Sequence, residues 1–247
     1  MARMLPLIAA GCATALATGL GAIPVWSLGE RAKTLRPFLR GLAAGLMSVA
    51  SVLGLLVPAA TRGTGPEVLA GAATGVGFLL ATRRWLRDRD VHVGALRGAG
   101  VRRSLLVFAV LFVHSLPEGF AVGTAYAAGE GLALYVILAI ALQNVPEGTS
   151  VAIPMQDAGF SRTAQFWTAV ATSAPQPVGA VVAFLLVEQI RALLPVSFAF
   201  AAGAMLTLVA VELVPQAFRR DTWRFAAAGT VAGGAMMVVL SVVLGVD

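Results

Sequence analysis

His114-Ser115-Leu116-Pro117-Glu118-Gly119 and Gln143-Asn144-Val145-Pro146-Glu147-Gly148 are two short, similar segments inside two consecutive apolar runs. Each sets a polar pair, then Pro-Glu-Gly, within a stretch long enough to cross a bilayer. A carboxylate at that depth costs about 3 kcal/mol on insertion scales, so two at matching heights need something that offsets the cost twice. His114 and Glu118 stand four residues apart, as do Gln143 and Glu147, so each pair shares one helix face. The proline before each glutamate lacks an N–H and crowds the carbonyl four residues back. The carbonyls of Val113 and Leu142 therefore lose their helix partners. Inside a membrane such carbonyls persist only where they face protein, water or an ion. Two facing helices thus offer an imidazole, two carboxylates, an amide oxygen and freed carbonyls. That mixed nitrogen and oxygen set suits a borderline dication such as zinc or ferrous iron. A lone histidine or a proline kink is ordinarily structural; it is the pairing of the two motifs that points to a bound ion.

The rest of the chain has membrane composition. Of its 247 residues 58% are hydrophobic and 12% charged, against about 25% charged in soluble domains, and the mean hydropathy is +0.86. Eight apolar runs read as spans, at 4–28, 37–60, 66–83, 104–128, 131–155, 163–189, 196–218 and 223–245. They make a single all-α transmembrane domain over residues 1–247. The third run is the shortest and carries Gly71, Gly75 and Gly77. The first has the position of a signal peptide but lacks a convincing cleavage site, and reads as a helix.

Charge sets the expected orientation. With the amino terminus outside, 15 of the 18 basic residues fall in inside loops, leaving Arg3, Arg62 and Arg191 outside. The positive-inside rule then supports an even number of spans with both termini outside. The net charge of +6 is explained by this crowding of arginines and by anionic lipid headgroups, not by nucleic acid. The single cysteine, Cys12, excludes an internal disulfide and a cysteine-based metal cluster. The long cytoplasmic loop at 84–103 holds Asp88, Asp90 and His92, placed to catch a departing metal. It reads first as a solvated linker whose charges set topology.

Small residues at Gly41, Ala44, Gly45 and Ser48, and from Ala201 to Ala204, predict close helix packing in the second and seventh spans. Met47 in the second span is either a gap-filler or a thioether facing the central pair. Gln176, between Pro175 and Pro177, either joins the central cluster or bonds a freed carbonyl. Glu212, near the end of the seventh span, either faces a polar cavity or reaches the interface.

On these residues the chain resembles the ZIP (Zrt-, Irt-like) family of divalent metal transporters, and is most similar to its small prokaryotic branch. The likeness runs through Gly41 to Met47 with Pro58-Ala59, His114 to Gly123, and Gln143 to Pro154. It continues through the Pro-Gln-Pro of the sixth span, Phe200 to Met205, and Glu212 to Pro215. The resemblance implies inverted repeats of helices 1–3 and 6–8 around helices 4 and 5. It implies a metal set of Met47, His114, Glu118, Gln143, Asn144 and Glu147, with His114, Glu118, Gln143 and Glu147 as the principal four. A second site sharing the two glutamates would add Ser115 and Gln176 beside Asn144. The family commonly has asparagine and glutamate where Ser115 and Gln176 stand, so the second site is expected to be weak.

The implied function is alternating-access transport of Zn2+ or Fe2+, with Mn2+, Cd2+ or Co2+ as further cargo, toward the cytoplasm of a prokaryotic cell across its inner membrane. No prosthetic group is expected; a homodimer is. Protonation of Glu118, Glu147 and His114 would weaken binding and aid release. A membrane metal-binding sensor or a non-transporting relative is the main alternative, and a proton-coupled carrier of a non-metal solute is another. An intramembrane metalloprotease needs two histidines flanking a glutamate on one helix, whereas the only other histidine, His92, lies in a loop.

Overall fold

The computed structural model of the chain describes residues 3–29, 31–87 and 99–246. Asp88, Asp90 and His92 of the basic loop lie outside them. The described residues are helical, and eight helices are long and apolar enough to cross a membrane. They are α1 (Met4–Leu28), α2 (Arg31–Arg62), α3 (Gly65–Arg87), α4 (Ala99–Ala128) and α5 (Glu130–Asp157). Then follow α6 (Arg162–Gln189), α7 (Arg191–Ala217) and α8 (Trp223–Leu244). The third run, shortest in the sequence, forms a full-length helix of 23 residues. The second helix begins at Arg31, upstream of Pro37. A proline there takes the partner only from the carbonyl of Lys33, near the helix start, where losing it costs little.

The helices pack as two groups. α4 lies along α6 and α5 along α1, with α4 against α5. Separately, α2 lies along α8 and α7 along α3, with α2 against α7. The groups meet where α2 packs on α5 and α7 on α4. Exchanging α1 with α6, α2 with α7, α3 with α8 and α4 with α5 maps this set of pairings onto itself. The two signature helices form the seam, and α5 is the most deeply buried of the spans.

Two helices widen by a turn just before a proline. In α2 the turn Val52–Leu56 is π-helical and precedes Val57-Pro58; in α7 the turn Val209–Leu213 is π-helical and precedes Val214-Pro215. The N–H of Val57 reaches back to the carbonyl of Val52, and that of Val214 to Val209. A missing proline donor leaves the preceding turn free to widen, and wide turns of this kind often sit at functional sites. By contrast α4 and α5 run through Pro117 and Pro146 without a change of helix type.

The glycines of the two Pro-Glu-Gly segments have a shared task. The backbone of α6 at Gln176 crosses directly over Gly119, and the carbonyl of Thr18 in α1 rests on Gly148. A side chain at either position would collide with main chain, which cannot swing aside. Each glycine thus brings a neighbouring helix against the glutamate that precedes it. Gly148→Ala is expected to destabilise the fold by about 1–3 kcal/mol, seen as a lower Tm in detergent. Gly131→Ala, with open space around it, should leave Tm unchanged or raise it.

Candidate metal centre

Glu118 is fully buried at the middle of α4. Its Oε1 accepts a hydrogen bond from Gln143 Nε2 of α5 at 2.8 Å. Its Oε2 accepts one from Gln176 Nε2 of α6 at 2.7 Å. Gln176 Oε1 accepts from Asn144 Nδ2 at 3.1 Å, and the same amide donates to the carbonyl of Thr14 in α1 at 2.7 Å. One carboxylate therefore draws four helices together through three side-chain amides. Burial of an ionised group without such donors costs several kcal/mol, so these bonds are a condition of the fold.

The carboxyl of Glu147 lies against that of Glu118, within side-chain hydrogen-bonding reach. Two carboxyl groups side by side repel unless a proton or a cation lies between them. Glu147 also borders a cavity of about 150 Å³, shared with His114, Glu212, Arg40, Ser150 and Gln216. These residues come from the first part of α2, the N-terminal half of the spanning part of α4 and the C-terminal parts of α5 and α7. The cavity therefore lies toward the end of the bundle where Arg31, Arg36, Arg162, Arg219 and Arg220 cluster. Of the pair, Glu147 borders this cavity, whereas Glu118 is fully buried.

Three buried acceptors around the pair have no hydrogen-bond partner among the described residues: Gln143 Oε1, Asn144 Oδ1 and His114 Nδ1. Buried polar atoms are ordinarily satisfied, and each exception asks for a reason. Here the orphans are two amide oxygens and an imidazole nitrogen, all competent ligands for a borderline dication. Among the described residues no three His, Cys, Asp or Glu side chains converge closely enough to hold an ion by themselves. A cation at this place would draw on the amide oxygens as well as the carboxylates.

The structure thus brings Glu118, Glu147, Gln143, Asn144 and Gln176 into one cluster. His114 sits one turn before Glu118, and its Nδ1 faces Glu212 Oε2 at 3.6 Å. Ser115 is buried, but its hydroxyl donates to the carbonyl of Leu111 in its own helix at 3.0 Å. Met47 is fully buried in the central apolar cluster with Ala44, Leu46 and Ala50, on the helix that packs against α5. Glu212 lines the cavity, carried there by the π-helical turn of α7, and meets Arg83 of α3 at 3.8 Å. The role of Arg83 was not visible in the sequence, where it is one of many basic residues near a loop. Nor was that of Thr14 or Thr18, whose backbone carbonyls reach α5 through close packing.

Comparison with known proteins places the chain in a family. The sequence profile described as ZIP zinc transporter matches residues 88–241. A protein of Myxococcus xanthus named zinc transporter GufA is 34% identical over 245 residues, covering 93% of this chain and 95% of that one. Zinc transporter ZIPB of Bordetella bronchiseptica is 32% identical over 248 residues, covering 95% of this chain and 80% of its own length. A putative zinc transporter of Arabidopsis thaliana is 34% identical over 233 residues, where 93% of this chain spans only 37% of the plant protein. These are transporters, not enzymes, which removes the metalloprotease alternative. With a profile match over more than half its length and two bacterial relatives more than 30% identical and covered over 80% or more of their length, this chain is a member of the ZIP zinc transporter family.

Proposed function

We propose that this protein carries divalent transition-metal ions, zinc first and ferrous iron second, across a prokaryotic inner membrane toward the cytoplasm. The observation that carries this reading is the buried pair of Glu118 and Glu147, flanked by unpartnered amide oxygens and an imidazole nitrogen. Two carboxylates neutralise a dication, and neutrality is what lets such a charge rest at mid-membrane. Met47, His114, Glu118, Gln143, Asn144 and Glu147 are the proposed ligand set. Gln176, spent on Glu118 and Asn144, and Ser115, spent on its own helix, make the neighbouring site weak.

The proposed transport mode is alternating access, with α1, α4, α5 and α6 moving as a body against α2, α3, α7 and α8. The pairings of helices support it, since their exchange about α4 and α5 is the pattern that inverted repeats produce. The arginine-rich end, toward which the cavity lies, is assigned to the cytoplasm by the positive-inside rule, with both termini outside. On that assignment a metal leaving the pair by way of the cavity moves inward. Protonation of the glutamates releases the ion, because a carboxylic acid is a poor ligand. A homodimer is the proposed assembly, and the single transmembrane domain is its unit.

Radioactive zinc uptake into proteoliposomes is the direct test. Wild-type protein is expected to accumulate zinc, and Glu147→Ala to reduce the rate to that of empty vesicles; undiminished uptake by the variant would overturn the assignment. Binding without any flux by the wild type would instead favour the metal-sensing alternative.

Gln176→Glu restores a carboxylate at the weak neighbouring site. Calorimetry with zinc is expected to read one equivalent bound by the wild type and two by this variant. Equal stoichiometry in the two proteins would remove the distinction between a strong and a weak site.

A further inference from the structure

Beyond the glutamate pair, a second polar cluster lies along the exit from the cavity. Glu212 Oε2 stands 3.6 Å from His114 Nδ1, and Glu212 Oε1 stands 3.8 Å from Arg83 Nε. Arg83 also donates from Nη2 to the carbonyl of Val211 at 3.3 Å. Its guanidinium is therefore fastened at two points to one π-helical turn of α7, that of Val209–Leu213. The side chain of Glu212 is only 14% exposed and that of Arg83 is 35% exposed, so the pair is shielded more than a surface salt bridge is.

An ion moving from Glu147 through the cavity meets His114 and Glu212 next, since all three line it. A half-buried carboxylate beside an imidazole is a trap for a dication. The cation would exchange one carboxylate site for another and stay. A guanidinium on Glu212 changes that. It neutralises the carboxylate, it has no lone pair with which to ligate metal, and it stays charged at every physiological pH. Being attached to the chain, it competes at high effective concentration with the passing ion.

We propose that Arg83 is a tethered counter-ion that keeps Glu212 from capturing the metal on its way out. The role rests on the transport reading above and makes Arg83 a residue that sets the release step. With Arg83 in place, Glu212 steers the dication down the cavity without binding it firmly. Without Arg83, Glu212 and His114 become a holding site.

Calorimetric titration of the purified full-length protein with zinc tests this apart from transport. Arg83→Gln is expected either to bind zinc at least about tenfold more tightly or to gain a further equivalent, because an unpaired half-buried carboxylate attracts a dication strongly. The same variant should slow zinc release from preloaded proteoliposomes. The gain should vanish in the double variant R83Q/E212Q, and Arg83→Lys, which keeps the charge, should recover most of the wild-type affinity. A merely structural arginine would lower affinity or leave it alone. Unchanged affinity and stoichiometry in Arg83→Gln would overturn the proposal. Arg83→Met, which keeps the apolar stem, carries the same expectation should the glutamine variant not fold. If the wild type moves no zinc yet Arg83→Gln still shows the gain in binding, the transport reading fails and the counter-ion role stands.

Discussion

Burying two glutamates beside each other in an apolar bundle is the constraint from which the rest of this structure follows. Glu118 is fully enclosed and has both oxygens occupied, one by an amide from α5 and one by an amide from α6. The donor ends of those amides are engaged, and one of the amides is tied in turn to α1 through Asn144, while Gln143 Oε1 has no partner among the described residues. A charged group so placed organises its neighbours, because every unpaired lone pair at that depth costs more than a hydrogen bond returns. Glu147 is held differently. It faces Glu118 on one side and a small polar cavity on the other, so of the two glutamates it is the one that borders open space.

That arrangement requires helices to approach more closely than ordinary side chains permit. The glycines that follow the two glutamates receive the main chain of α6 and α1. Gly41 and Gly45 receive that of α8, and Gly71 and Gly75 that of α7. In lipid, where apolar side chains gain little by leaving one hydrocarbon for another, such backbone contact is the principal source of cohesion. It also leaves smooth surfaces within each helix group. The seam between the groups is different in kind, since the cavity that Glu147 borders and the contact of His114 with Glu212 lie there, while the amides that hold Glu118 belong to α5 and α6 of its own group.

Several features were legible in the residues alone. Eight apolar runs and the distribution of arginines gave the number of spans, because hydrocarbon thickness imposes a length on any helix that crosses it. Placing Glu118 and Glu147 at matching heights required only the four-residue spacing and the repeated Pro-Glu-Gly. The start of α2 was less legible: Pro37 looks like a boundary, yet a proline within the first turns of a helix costs little. Glu212 was ambiguous for a related reason. Its distance from the helix end fits two environments, and the π-helical turn that decides between them depends on how α7 packs around Pro215.

The sequence by itself determined that this is a helical membrane protein with two carboxylates sharing its interior, since hydrophobic length and the cost of a buried charge are local properties of the chain. Only the tertiary structure decided which partners those carboxylates have. Gln143 and Gln176 turn to Glu118, Ser115 turns to its own helix, and Arg83 crosses to Glu212. Such choices are made by side chains from helices far apart in sequence. They depend on the angles and offsets at which rigid rods settle, and no periodicity along a single rod encodes those.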